Sequence, residues 1–410
     1  MFIAVPLPPD ILRIMNHKFL SCLLIIVLFQ LSSCLKDNTP PHIYLLEALT
    51  FESQADIDQF HAQYHETKII DGDLIISGKD IHNLKGLKEL AIIRGKLVIE
   101  DCPALENLEG LENMMTIEGS FSILRNTTLT SLSGFGSVKE LGQNLVISGN
   151  DSLASLAGLI HLGSIKGNLV ITGNDNLTNL AGLENVTSIG GILDIDDNKS
   201  LINLAGLDNV HSLESTLSIT NNPNLSNLSG LNNVKHVGGD FLISNNNSLT
   251  DLTGLENLMY VDSTFEMEGN STLKNLEGLN NLYAVGDYLS IIDNDNLTSL
   301  SGIEKLNYTG SLSVWKNDKL VSVAALMNLV KLTGTLDIWN NSVLVSLAGL
   351  DNIEASTVQN IYILNNPSLS TCHVQSICEY LAGPSGNVSI KFNASGCNSN
   401  EEVIAKCGSK

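Results

Sequence analysis

Catalysis needs groups that converge, and the reactive side chains of this 410-residue chain do not. His161, His211 and His236 fall at unequal places within a unit of about 24 residues that recurs along the chain, so they do not stack into one site. Arg94 and Arg125 are the only arginines after Arg13, and both lie early, far from the tryptophans. Hydrolysis or elimination on a polysaccharide would need convergent carboxylates, or a base with Arg or Lys to hold an acidic sugar. No such set, nucleophile motif, phosphate loop or metal-ligand pair is present, so neither catalysis nor a cofactor is expected. Asp194, Asp196 and Asp197, and Asp293 with Asp295, gather oxygens that calcium would accept. Their columns do not persist, since Gly173 and Asn221 flank Asp197 in register, and solvated surface charge is the favoured reading.

What the residue types do support is contact chemistry. Trp315 and Trp339, the chain's only tryptophans, stand one unit apart in the same column, between Ile292 and Leu364. The adjoining column supplies Asp337 and Tyr362. Earlier units carry Ser148, Thr172, Asp196, Thr220, Ser244 and Glu268 in the tryptophan column, all polar. Two indoles side by side on an exposed sheet would form an apolar patch with a polar rim, suited to stacking on sugar rings or anchoring a protein interface. The competing expectation is that the C-terminal cap folds over them and makes them core.

The recurring unit must position these residues. Leu-Val-Ile-Thr-Gly-Asn at 169–174 returns as Leu-Asp-Ile-Asp-Asp-Asn at 193–198, Leu-Ser-Ile-Thr-Asn-Asn at 217–222 and Phe-Leu-Ile-Ser-Asn-Asn at 241–246. A period of this size means that each unit buries its apolar face only by stacking on its neighbours. Strands are expected to begin near 74, 97, 121, 145, 169, 193, 217, 241, 265, 289, 312, 336, 361 and 388. That gives about fourteen rungs, a rod on the order of 65 Å long at a strand separation of roughly 4.8 Å. Within a strand Leu169 and Ile171 point inward, Val170 and Thr172 outward. Leu177, Leu180, Leu183, Val186 and Ile189 then recur every third residue, which fits short extended pieces and turns better than a helix.

The most regular column is an asparagine: Asn126, Asn150, Asn174, Asn198, Asn222, Asn246, Asn270, Asn294, Asn317, Asn341 and Asn366, with Asn393 near the end. An amide both donates and accepts, so stacked asparagines can bond one another and the backbone in every rung. The many Asn-x-Ser/Thr triplets, such as the one at Asn176, read as by-products of this composition rather than glycosylation sites. Cys102 occupies the asparagine column of an early unit, where a buried free thiol is expected.

A leucine-rich-repeat horseshoe shares the Leu-x-Ile-x-x-Asn core, but here the next apolar residue follows the asparagine by three, as Leu177 follows Asn174, and the same offset holds at Leu153, Leu201, Leu225 and Leu249. With the Gly-Leu step at 158–159, 182–183 and 206–207, the array over roughly 70–395 resembles the receptor L domain. That resemblance implies an all-β, right-handed parallel β-helix solenoid used as a binding scaffold. Growth-factor receptor ectodomains are the best-known members, but this array is longer, no cysteine-rich module interrupts it, and no kinase follows. The N-terminal helix and C-terminal cysteines are similar to those of surface lipoproteins of Bacteroidetes-type bacteria.

The ends carry the address. After Met15, Lys18 and the apolar run from Phe19 to Phe29 read as a secretory signal, with Met1 to Ile14 an upstream extension and Cys22 lost on cleavage. Leu31-Ser32-Ser33-Cys34 looks like a bacterial lipobox, making Cys34 the lipidated mature N-terminus. The competing reading is an ordinary secretory signal with a chance cysteine. The expected organisation is therefore a signal segment with its extension over 1–33, a lipidated tether over 34–52, a capping helix over 53–69, the solenoid over 70–370 and a disulfide-stapled cap over 371–410. Ser53 and Asp56 are spaced as a capping box ahead of Ile57, Phe60 and Tyr64. Cys372, Cys378, Cys397 and Cys407 crowd the cap, where two disulfides are favoured over zinc because no paired C-x-x-C occurs; three pairings remain open.

The formal charge of −22 with so few arginines argues against nucleic acid. The expected partner is a protein or glycan outside the cell, met by a non-catalytic adhesion or recognition scaffold held to a bacterial outer membrane by its lipid. A structural spacer or envelope protein without a specific ligand is the alternative.

Overall fold

Each expected strand start falls in a parallel strand of the computed structural model, which describes residues 44, 45 and 48–408. The expectations for the signal segment, for Cys34 and for most of the tether lie outside the described residues. In most coils a four-residue strand alternates between buried and part-exposed positions, as in Leu169–Thr172 and Leu193–Asp196. Successive coils pair in unbroken register: Leu145 lies beside Leu169, then Leu193, Leu217, Phe241 and Phe265. Strands pair only with the coil before and the coil after. The sheet therefore runs along the stacking direction, as in a solenoid, and does not close around an axis as in a barrel.

The leucines spaced by three are all core. Leu177, Leu180, Leu183 and Val186 are fully buried, and Ile189 nearly so. Burial of each such side chain contributes roughly 1.5–3 kcal/mol, realised only when coils lie on both sides. Two-residue strands such as Ser164–Ile165 and Ser188–Ile189 form a second parallel sheet beside the first. At Ala284–Ile292 and Tyr308–Trp315 the short and long strands fuse, with a register shift between Val285 and Tyr288. The cause lies in the sequence: Val285-Gly-Asp-Tyr-Leu becomes Thr309-Gly-Ser-Leu, one residue shorter.

One rung departs from expectation. Leu49–Phe51 lies parallel to Leu74–Ile76, so the stack begins inside the segment assigned to the tether. The step from Leu49 to Leu74 is 25 residues and keeps the period, but a helix, Gln54–Tyr64, fills the rest of this coil and Gln54 stands in place of the column asparagine, so the strand motif that marks later rungs is absent. The Ser53 hydroxyl accepts from the Asp56 N–H at 3.3 Å, and Asp56 accepts from the Glu52 N–H at 3.0 Å, a reciprocal cap. Ile57 and Phe60 are buried, with Phe60 meeting the Phe51 ring edge-on at 5.4 Å.

The asparagine column is a continuous internal ladder. Asn174 donates to the carbonyls of Ile147 at 2.9 Å and Thr172 at 3.1 Å, while its own carbonyl accepts from the Asn150 backbone N–H at 3.2 Å. The pattern ends at Asn393, which donates to the carbonyls of Ile363 and Cys397. Asn126 and Asn150 each head an Asn-x-Ser/Thr triplet yet are fully buried, which fits the structural reading of those triplets. Cys102 is buried too: its N–H donates to Asn126 Oδ1 at 3.0 Å and its Sγ to the Glu100 carbonyl at 3.3 Å. Burial pushes its thiol up to about 11, which keeps it protonated and unreactive at neutral pH. In the cap, Cys378 pairs with Cys407 and joins the helices Gln375–Ala382 and Asn400–Cys407 to each other, while Cys372 pairs with Cys397 and ties the segment after the last strand to the coil before it.

Candidate binding face

Because the strands alternate, the outward residues of the long sheet form two columns, and parallel register stacks like positions. Ile292, Trp315, Trp339, Leu364 and Lys391 are consecutive neighbours in one column. Ser290, Ser313, Asp337, Tyr362 and Ser389 are neighbours in the other. Trp315 is 39% exposed and Trp339 37%, so the cap does not fold over them. Ile292, Leu364, Asp337 and Tyr362 are half-buried around the indoles. Ser313, Trp315, Asp337 and Trp339 line a cleft of about 180 Å³. Burial in that cleft raises the Asp337 carboxyl above the ordinary carboxylate range.

The other reactive residues are placed as structural partners. Arg125 makes paired contacts with Asp101 at 2.9 and 2.8 Å and reaches Glu100 at 2.9 Å. Arg94 lies 3.0 Å from Asp71. Both arginines sit eight or more rungs from Trp315, on the order of 40 Å at the strand spacing. His236 lies 2.9 Å from Asp262, and the His211 ring meets the Asn209 carbonyl. Asp196 accepts from the Thr220 hydroxyl at 2.6 Å and from the Asn221 amide at 2.8 Å.

The acidic turn column has a conformational cause. The residue before each ladder asparagine is left-handed, with φ of 50° at Asp197, 54° at Asn221 and 53° at Asp293, and glycines at 149, 173 and 269. Asp, Asn and Gly tolerate that region best and fill most of this column, although Arg125, Lys316 and Phe392 adopt the same conformation at φ of 55°, 58° and 60°.

A second aromatic group was not foreseen. Met259, Tyr260, Tyr283 and Tyr288 are exposed beside the short sheet, and the Tyr260 and Tyr283 rings meet edge-on at 6.2 Å. Tyr283 donates to Asn307 Oδ1 at 3.2 Å, next to an open groove of about 540 Å³ also lined by Lys305, Asn328, Val330 and Asn352. These tyrosines follow the leucine column, where no strand was expected to align them; recurrence of an aromatic at 260 and 283, near the 24-residue spacing, was the available signal. A further groove of about 570 Å³ lies against the N-terminal helix, lined by residues of both charges such as Asp58, Lys85, Lys88 and Glu109. It is at the far end of the stack from the tryptophans.

These observations first define a class: a parallel β-solenoid with an internal asparagine ladder and an aromatic outer face. Residues 67–162 match the receptor L domain family. The same register continues through later coils, so the architecture of the matched segment extends beyond it, and the chain is similar to receptor L-domain proteins, which are typically non-catalytic binding scaffolds. A crystal structure of a TLR13–ssRNA13 complex matches at 12% identity over 86% of this chain and 84% of that chain, with a TM-score of 0.15. No curated protein matches the chain.

Proposed function

We propose that this protein is a non-catalytic recognition or adhesion scaffold on a bacterial outer membrane, anchored by a lipid on Cys34. It binds a protein or glycan outside the cell through the face around Trp315 and Trp339. The observation that carries the reading is the pair of adjacent indoles, each more than a third exposed, in a column of the sheet that is polar through the rungs from 145 to 265. Exposed aromatics beside half-buried polar groups are the usual anchors of binding surfaces. A spacer without a ligand has no use for them.

Tryptophan fluorescence reads this face alone, since Trp315 and Trp339 are the only indoles. Iodide is expected to quench most of the emission, and the spectrum to be red-shifted. The paired variant Trp315→Ala, Trp339→Ala is expected to keep its stability within about 0.5 kcal/mol, as surface substitutions do, while losing ligand binding. Weak quenching with blue-shifted emission would refute the binding face and leave the spacer reading ahead. The anchor has its own test: Cys34→Ser is expected to move the protein from the membrane to the soluble fraction, and unchanged membrane association would refute lipidation at that residue.

A further inference from the structure

We propose that the cleft between Trp315 and Trp339 takes a cationic head, the guanidinium or ammonium of a basic side chain on a protein partner, with Asp337 as its counter-charge. This rests on the reading that the two indoles are a binding face, and it names what that face selects.

Three observations carry it. The Asp337 carboxylate shares the cleft with both indoles, and its neighbours in register, Ser313 and Tyr362, are uncharged. Among the described residues no ion pair reaches it, and burial is the one cause that lifts its carboxyl. A half-buried carboxylate without a partner is costly, and a cation removes that cost more completely than a sugar hydroxyl does. Second, the faces of the indoles carry the negative side of the ring quadrupole and attract cations within about 6 Å of the ring centre. The cleft, about 180 Å³, is smaller than the roughly 300–1,000 Å³ of a site for a complete small ligand. It suits one side-chain head.

Third, the surrounding face is complementary to a basic partner. From the rung at 145 to the rung at 388, the two outward columns hold Asp194, Asp196, Glu266, Glu268 and Asp337, against the single base Lys391 in the last rung. Burial also raises Asp194 and Glu266, the latter with Glu268 and Asp240 adding to the effect. Asp194, Glu266 and Asp337 lie in one column three rungs apart, about 14 Å at the strand spacing. An extended partner bearing spaced basic residues would meet them in turn, with the indole cleft as the anchor.

The test titrates the full chain with a Gly/Ser peptide bearing three arginines and follows tryptophan emission. The same peptide with citrulline in place of arginine keeps the shape and loses the charge. The arginine peptide is expected to shift the emission saturably, the citrulline peptide to have at least about tenfold lower affinity, and binding to weaken as salt screens the charges. Asp337→Asn is expected to lower affinity for the arginine peptide about tenfold or more. Asp151→Asn, which removes one charge from a distant turn, is expected to leave it unchanged. Equal binding by the citrulline peptide, or equal binding by Asp337→Asn, overturns the proposal. If the neutral sugar maltohexaose shifts the emission and the arginine peptide does not, the binding face stands and its cationic selectivity falls. If no probe shifts the emission and iodide fails to quench it, both fall together.

Discussion

Asn222→Ala is expected to destabilise the protein by about 3–5 kcal/mol, a large fraction of an ordinary domain's margin of about 5–15 kcal/mol. Asn222 is fully buried in the middle of the ladder. Its amide donates to the carbonyls of Ile195 at 2.9 Å and Thr220 at 2.7 Å, and also reaches Asn246 Oδ1 at 3.3 Å. Its carbonyl accepts from the backbone N–H of Asn198 at 3.1 Å and from the Asn198 amide at 3.3 Å. Alanine cuts all of these and leaves the Asn198 N–H of the preceding coil buried without its acceptor, at about 1–3 kcal/mol, with a cavity where the amide stood, while the Thr220 carbonyl keeps the Asp197 N–H and Asn246 Oδ1 keeps the residue-222 N–H. Water has no easy route to replace them, since leucines and isoleucines fill the space around the column. Replacement of the preceding residue, Asn221→Ala, removes an exposed side chain from a left-handed turn and is expected to cost only about 1 kcal/mol. Urea unfolding of both variants, with amide exchange to localise the loosened coils, checks the contrast. A loss under 1 kcal/mol for Asn222→Ala would show that the ladder is ornamental to stability.

The repeat made most of this architecture legible, because a pattern written many times averages out local ambiguity. The alternation of Leu169, Val170, Ile171 and Thr172 recurs in coil after coil, so one assignment of inside and outside served the whole array and placed Trp315 and Trp339 on its surface. Where the repeat is interrupted, the sequence was silent. Leu49–Phe51 is a rung one period before Leu74, but a helix replaces the rest of its coil and Gln54 stands where the asparagine recurs, so the motif that marks a rung is missing. The pairing of Cys372 with Cys397 depends on how the cap folds back on the last coil, a question of three-dimensional closure that spacing does not answer. Tyr260 lies in a two-residue strand and Tyr283 just before the strand Ala284–Ile292, where local propensity is weak and alignment comes from stacking. Asp337 was visible as a neighbour of the indoles, but its lack of a counter-charge is a property of the folded surface.

The Gly-Leu step conceals the second large effect. Gly206→Ala is expected to destabilise the protein by about 2–5 kcal/mol, combining strain at a disfavoured φ with overpacking against fixed backbone. Gly206 has φ of 118°, a region that side-chain-bearing residues rarely enter, and a methyl group on it would overlap the Leu180 carbonyl of the preceding coil. Neither side can yield cheaply: the Leu180 N–H donates to the Ala205 carbonyl at 2.9 Å, and the Gly206 N–H donates to Asp208 Oδ2 at 3.0 Å. The same conformation and the same backbone approach occur at Gly182 and Gly230, so the glycine sets how closely successive coils can stack just before each core leucine. Gly163 supplies the comparison. A methyl group there would lie 3.5 Å from the Lys139 carbonyl, an ordinary contact, and Gly163→Ala is expected to be neutral or to stabilise by about 0.4–1 kcal/mol through the unfolded chain. Thermal unfolding of the two variants side by side separates a glycine that the stack requires from one that it merely tolerates. Equal melting temperatures would break the link between the Gly-Leu step and coil spacing.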